Sequence, residues 1–242
     1  MFVHYKTPCL ILKKKNRNEA DQLFTVYTKE FGKLEVLGRA IRKIASKLRA
    51  GMEVFSISEI EFIQGKAFKI LTDAILIEKF ENLNKNLKTL KIANKISTVV
   101  DDLIKGQEFD ENIWNLLVKT FQRLDRCHSF TNICLFIYYY FLWNFFSLLG
   151  YQPEIYECSL CQKKIKPEKN YFSAKDGGIV CLNCGKSVKN AKEINLETIK
   201  ILRIIIKKDW KTLSKIKLKP EQMKSLESVS QNYLCRISET TG

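Results

Sequence analysis

Two cysteine pairs constrain this chain more than any other feature. Cys158-Ser159-Leu160-Cys161 is followed, after nineteen residues, by Cys181-Leu182-Asn183-Cys184. A thiolate pair two residues apart can grip one metal ion from a tight turn, and a second pair brought alongside completes a tetrahedral four-sulfur shell. Pro167, Asn170 and Gly177-Gly178 supply turns that let the intervening segment fold back so that the pairs meet. The expectation is structural zinc held by Cys158, Cys161, Cys181 and Cys184. A closed set of four ligands leaves no open position for a catalytic water. Two disulfides or a thiol redox pair are the alternatives. Disulfides need an oxidising compartment, whereas the start Met1-Phe2-Val3-His4-Tyr5-Lys6 carries no basic-then-apolar leader. A redox pair leaves the second pair unexplained. Cys9, Cys127, Cys134 and Cys235 lie in apolar contexts and are expected as buried core thiols, which suits a reducing cytoplasm.

The chain has 242 residues, 45% of them hydrophobic, enough for a folded protein of two modest domains or one large one. Its formal charge of +15 favours polyanionic partners, with nucleic acid or an anionic membrane as the candidates and a general lysine bias as the plain alternative. Distribution argues for a ligand: the net charge is +6 over residues 1–79, −1 over 80–157, +3 over 158–184 and +7 over 185–242.

Residues 8–79 read as β structure. Cys9–Leu12, Gln22–Thr28, Gly32–Gly38, Phe55–Phe62 and Ala67–Leu76 are short apolar, alternating or β-branched runs. Lys13-Lys14-Lys15-Asn16-Arg17-Asn18 reads as a polar connection between the first two, and Lys29-Glu30-Phe31-Gly32 as a hairpin. Five strands in so short a stretch suggest a small closed barrel, for which the oligonucleotide-binding (OB) barrel is one scaffold. Between the third and fourth strands, residues 39–49 hold five cations and no acid. Their apolar members Ile41, Ile44, Ala45 and Leu48 fall at helical spacing, predicting a helix with cations outward. The expected nucleic-acid contacts are Lys13, Lys14, Lys15, Arg17, Arg39, Arg42, Lys43, Lys47 and Arg49. Phe24, Tyr27, Phe55, Phe62 and Phe68 could stack on bases, but filling a small barrel is the first expectation for them.

The period becomes helical from about residue 80. Leu90 to Ile104 recur at helical spacing up to Gly106, and Asp110 suits the cap of a second helix running to Leu124. Asp101-Asp102 could be proposed as metal ligands, but neighbours on a helix diverge by about 100°, which favours a surface role. Residues 129–152 carry no charge. They are long enough to span a bilayer, yet Asn132, Asn144 and three consecutive tyrosines favour a buried core helix. Beyond the cysteines, Asn195 can cap one helix and Pro220 can open the last. Lys200, Lys207, Lys208, Lys211, Lys215, Lys217 and Lys219 form a second basic stretch, either a solvated face or a DNA track.

Several stretches together resemble the RecO family of bacterial recombination mediators. They are Leu10–Lys13, Asn18–Asp21, Leu23–Lys33, Gly38-Arg39-Ala40, Phe145–Tyr151 before the first cysteine pair, and Phe172-Ser173 with Gly177-Gly178 before the second. The resemblance covers most of the chain. It implies an α+β protein, with a five-stranded OB-fold barrel at 1–79 and a helical domain at 80–242 carrying the zinc module at about 155–187. It also implies a cytoplasmic, nucleoid-associated protein with no catalytic site and no membrane partner. Proteins of this kind bind single- and double-stranded DNA and anneal complementary strands. They contact the C-terminal tail of the single-strand-binding protein and, with RecR, help load recombinase. A zinc-ribbon nucleic-acid-modifying enzyme is the rival reading. It lacks a nucleophile with an orienting base, since His4 and His128 are the only histidines and no Gly-rich phosphate loop occurs.

Overall fold

The computed structural model describes residues 3–107, 109–127 and 133–241. It divides into two compact units, Met1–His128 and Ser129–Gly242.

In the first unit, β1 (His4–Arg17), β2 (Asp21–Thr28), β3 (Gly32–Gly38), β4 (Ser56–Gln64) and β5 (Lys69–Lys79) close into a barrel of order β1-β2-β3-β5-β4. Antiparallel pairing of β1 with β4 closes one side, and a short parallel contact, Val36 to Lys69 and Leu37 to Ile70, joins β3 to β5. This is the OB arrangement. Alternation turns Cys9, Ile11, Phe24, Val26, Val36, Ile60 and Phe62 into a common core, joined by Ile41 and Met52 from the β3–β4 connection. Short helix α1 (Glu81–Lys85) leads to α2 (Leu87–Leu103) and α3 (Glu111–Asp125). Asp110 caps α3 as expected, its Oδ1 accepting from the Asn112 and Ile113 N–H groups at 2.7 and 3.3 Å. Helix α3 packs Phe121 against Phe55 and Phe80.

Three sequence expectations change here. The polar run Lys13–Arg17, expected as a connection, belongs to β1, because its backbone pairs with Leu23, Phe24 and Thr25 of β2 and only residues 18–20 turn. The helix expected over 39–49 does not form. Ala40 adopts a left-handed φ of 51°, its N–H held by Asp21 Oδ1 at 2.7 Å, and the rest is turns with one 3-10 turn at Lys47–Arg49. Ile41 is buried there, while Ile44 is 96% exposed. Of the expected core thiols, Cys9 is free and fully buried, Cys127 and Cys134 are buried, and Cys235 is exposed. Cys235 follows two residues after the buried Tyr233, a spacing that puts it on the far side of its helix.

The second unit is built on α4 (Ile133–Leu148), whose sequence is apolar on every side. Residues 129–132 of the expected apolar segment lie outside the described residues. Trp143 donates to Ser230 Oγ at 2.9 Å, and Asn144 Nδ2 to the carbonyls of Tyr140 and Ile205, which pairs these N–H groups inside the core. Around it lie β6 (Asn170–Ser173), β7 (Gly178–Val180), α5 (Leu182–Gly185), β8 (Lys192–Ile194), α6 (Leu196–Ile206), α7 (Trp210–Leu213) and α8 (Pro220–Thr241). Asn195 caps α6 and Pro220 opens α8, both as expected. Among the described residues, no helix is long and apolar enough to cross a membrane.

Asp101 fixes α2 to the barrel. Its carboxylate takes Lys13 Nζ at 2.9 Å and Lys33 Nζ at 3.2 Å, and Lys33 also reaches the Asp101 carbonyl at 2.7 Å. Burial raises the Asp101 pKa, but the two lysines outweigh it and hold the carboxyl below its usual 3.8. A carboxyl depressed in the folded state contributes stability that is present above the unfolded pKa and lost as pH falls through the folded one. Asp101→Asn is therefore expected to lower unfolding stability at neutral pH by about 1 kcal/mol, since the pair is one-third exposed. The difference between wild type and variant should shrink below about pH 4 in urea titrations.

Candidate nucleic-acid interface and metal centre

The expected DNA-contacting cations separate into groups. The register of β1 shifts between Ile11 and Lys13. Beyond the shift Lys13 meets Asp101 on α2, whereas Lys14 lines a cleft of about 620 Å³ with Arg42 and Arg49. Ile41, Met52 and Val54 provide apolar walls of that cleft, and Gln22, Glu53 and Asn84 its polar ones. Arg42 is steadied by donating to the Glu19 carbonyl at 2.9 Å. Lys15, Arg39, Lys43 and Lys47 are exposed. Arg17 is drawn away, its guanidinium lying 4.3 Å from the centre of the Phe68 ring. The structure thus brings Lys14, Arg42 and Arg49 together and commits Lys13 to an ion pair.

Gly51 makes the cleft possible. A Cβ there would lie 2.3 Å from the Ala74 carbonyl oxygen, so only glycine lets the β3–β4 connection lie against β5. Nothing in local sequence pattern marks Gly51, Glu53 or Asn84 as members of one site, because they meet only when the barrel closes. Of the five candidate aromatics, Phe24, Tyr27, Phe55 and Phe62 are buried, as barrel filling requires, and Phe68 is half-buried.

The two cysteine pairs do meet. The Sγ atoms of Cys158, Cys161, Cys181 and Cys184 all lie within 4.8 Å of one another, with Cys161 and Cys181 at 3.8 Å. A tetrahedron with metal–sulfur bonds of about 2.3 Å has edges of about 3.8 Å, so the donor set fits a four-coordinate metal ion. The first pair sits in a turn closed by Gln162 N–H on the Cys158 carbonyl, with Gln162 at a φ of 60°. The second pair opens α5. Burial pushes the Cys158 thiol up, but backbone N–H groups of Cys161, Cys181 and Leu160 outweigh it and bring it to about 6. Arg203 on α6 braces the module from outside, donating twice to the Ile155 carbonyl and lying 4.9 Å from the centre of the Tyr156 ring.

Asp101-Asp102 holds no ligand geometry for a metal: Asp101 is spent on two lysines and Asp102 is exposed. His4 pairs with Glu61 on the barrel surface, and His128 lies outside the described residues.

Comparison with known families matches residues 1–80 to the N-terminal domain of recombination protein O and residues 84–236 to its C-terminal domain. The chain belongs to the RecO family. Curated relatives named DNA repair protein RecO extend along almost its whole length. The one from Dehalococcoides mccartyi strain BAV1 is 28% identical over 92% of this chain and 86% of its own length. That from Caldanaerobacter subterraneus is 27% identical over 87% and 83%, and that from Desulforamulus reducens 26% over 98% and 92%. RecO proteins are recombination and repair proteins, so the barrel cleft and the four-cysteine module belong to a repair protein.

For the metal centre, Cys181→Ser is expected to cut bound metal well below the wild-type content in elemental analysis. It should also lower the thermal midpoint, because a three-sulfur shell no longer closes the turn pair. Retention of full metal content would assign the ion elsewhere.

Proposed function

We propose that this RecO-family chain is a DNA-binding recombination mediator that works by holding strands and makes or breaks no bond in them. The convergence of Lys14, Arg42 and Arg49 on one cleft of an OB barrel carries the reading. Three cations that meet across two segments far apart in sequence can neutralise consecutive phosphates, and neutralisation lets two like-charged strands approach and anneal. The exposed Lys15, Arg39, Lys43 and Lys47 extend the positive surface around that cleft. Lys207, Lys208, Lys211, Lys215, Lys217 and Lys219 expose a further basic stretch in the second unit. Chemistry on the strand would need a nucleophile, base or open metal position, and the four-sulfur shell offers none.

The metal is assigned as zinc, because four thiolates in tetrahedral array suit that ion and give it a closed, structural site. Its role here is to staple the turn that precedes β6 to the one that follows β7.

The family's partners fit the second unit's surface chemistry. Ile165, Pro167, Leu196 and Ile199 line an apolar groove of about 190 Å³, with Lys166, Lys200 and Arg203 also in its wall. An acidic peptide with apolar side chains, such as the tail of the single-strand-binding protein, suits that combination. RecR enters as the family's loading partner, and a bacterial cytoplasm beside the nucleoid is the setting this function needs.

Oligonucleotide affinity should fall steeply between about 50 and 200 mM salt. Exchanging Lys14, Arg42 and Arg49 together for glutamate should cost at least tenfold and flatten that slope. Affinity unchanged in the triple variant would move the interface off the barrel. Annealing of complementary strands coated with the single-strand-binding protein, with and without RecR, then tests the mediator role itself.

A further inference from the structure

The hairpin between β4 and β5 builds a second feature that the cleft of Lys14, Arg42 and Arg49 does not use. Residues 65–68 turn so tightly that the Gly65 N–H donates to the Phe68 carbonyl at 3.1 Å. A Cβ on Gly65 would lie 2.4 Å from that same oxygen, so glycine is required for the turn. The turn presents Phe68, which alone of the five barrel aromatics is left half-buried. Arg17 covers its ring from 4.3 Å, and the ring also walls a separate cleft of about 390 Å³.

The other walls of this cleft are cationic and amide-bearing. Lys33, Lys69 and Lys105 line it together with Gln64 and Gln107, and Lys69 Nζ is positioned by Gln107 Oε1 at 3.2 Å. The acids present are Glu35 and Asp101, and Asp101 is already neutralised by Lys13 and Lys33. A half-exposed ring, held by a stacked guanidinium and set among lysines, has the chemistry of a platform for an unpaired base whose phosphates meet the lysines. Paired bases are already stacked in a duplex and cannot use such a ring.

We propose that this cleft binds an unpaired nucleobase of single-stranded nucleic acid, stacked on Phe68, with Lys69 and Lys105 taking the flanking phosphates. The proposal rests on the nucleic-acid-binding reading of the barrel. It adds a residue that separates single strands from duplex, where a purely electrostatic cleft would treat both by charge.

The test compares full-length wild type, Phe68→Ala and Phe68→Trp for binding to an unstructured oligothymidylate and to a duplex at one salt concentration. Phe68→Ala is expected to weaken single-strand binding by roughly tenfold. Its duplex affinity should stay at the wild-type value, and Phe68→Trp should restore single-strand binding. Unchanged single-strand affinity in Phe68→Ala, or an equal loss on both ligands, would overturn the stacking site while leaving the binding reading in place. A wild-type chain that bound neither ligand would overturn both.

Discussion

Closure of the five-stranded sheet is the constraint from which the first unit follows. Once β1 pairs with β4, alternate side chains of every strand must point into one small volume. Phe24 and Phe62 fill it and are lost to any ligand. The surfaces left for recognition are then the strand ends and connections, which is where the cations of β1 and of residues 39–49 lie. Asp101 adds a second layer of constraint by pinning α2 across the barrel through Lys13 and Lys33. It converts one member of a lysine run into a structural residue and leaves its neighbour, Lys14, for the cleft.

The second unit solves a different problem. A helix apolar on all sides must be wrapped, and α4 is wrapped by α6 and α8, which follow the metal module in sequence, and by Phe172 within it. Trp143 stacks on Tyr233 of α8 at 5.3 Å, and Phe172 of β6 meets both rings edge-on. Aromatic contacts of this kind contribute about 1 kcal/mol each beyond burial. The strand between the two cysteine pairs is thereby anchored in the helical core through Phe172, and a metal in the four-sulfur shell would add a staple to that packing.

Much of this was legible because it depends on local chemistry. The spacing of the cysteine pairs predicted their meeting. Asp110, Asn195 and Pro220 marked helix starts because caps act within a turn of the backbone. Four of the five barrel aromatics were rightly expected inside, and Phe68 is the exception. Residues 39–49 misled because Ile41 and Leu48 reach the barrel core from turns, not from a helix, once Asp21 holds Ala40 in a left-handed conformation. Lys13–Arg17 misled for a related reason: a polar run reads as a loop, yet β2 supplies it with a pairing partner. Cys235 shows the same limit, since an apolar neighbourhood in sequence does not say which side of a helix a residue occupies.

The sequence by itself determined which four cysteines cluster, the placement of strands before helices, the excess of positive charge at the two ends and the family. These follow from residue type, spacing and period, which need no knowledge of what lies across the fold. Only the tertiary structure decided which cations remain free, because Lys13 and Lys14 are neighbours that face opposite sides of β1 and nothing in composition separates them. It also decided that Phe68, of the five aromatics singled out in sequence, is the one left half-buried beside a cleft. Burial is set by closure of the sheet and by what α2 covers, and both are contacts between residues far apart along the chain.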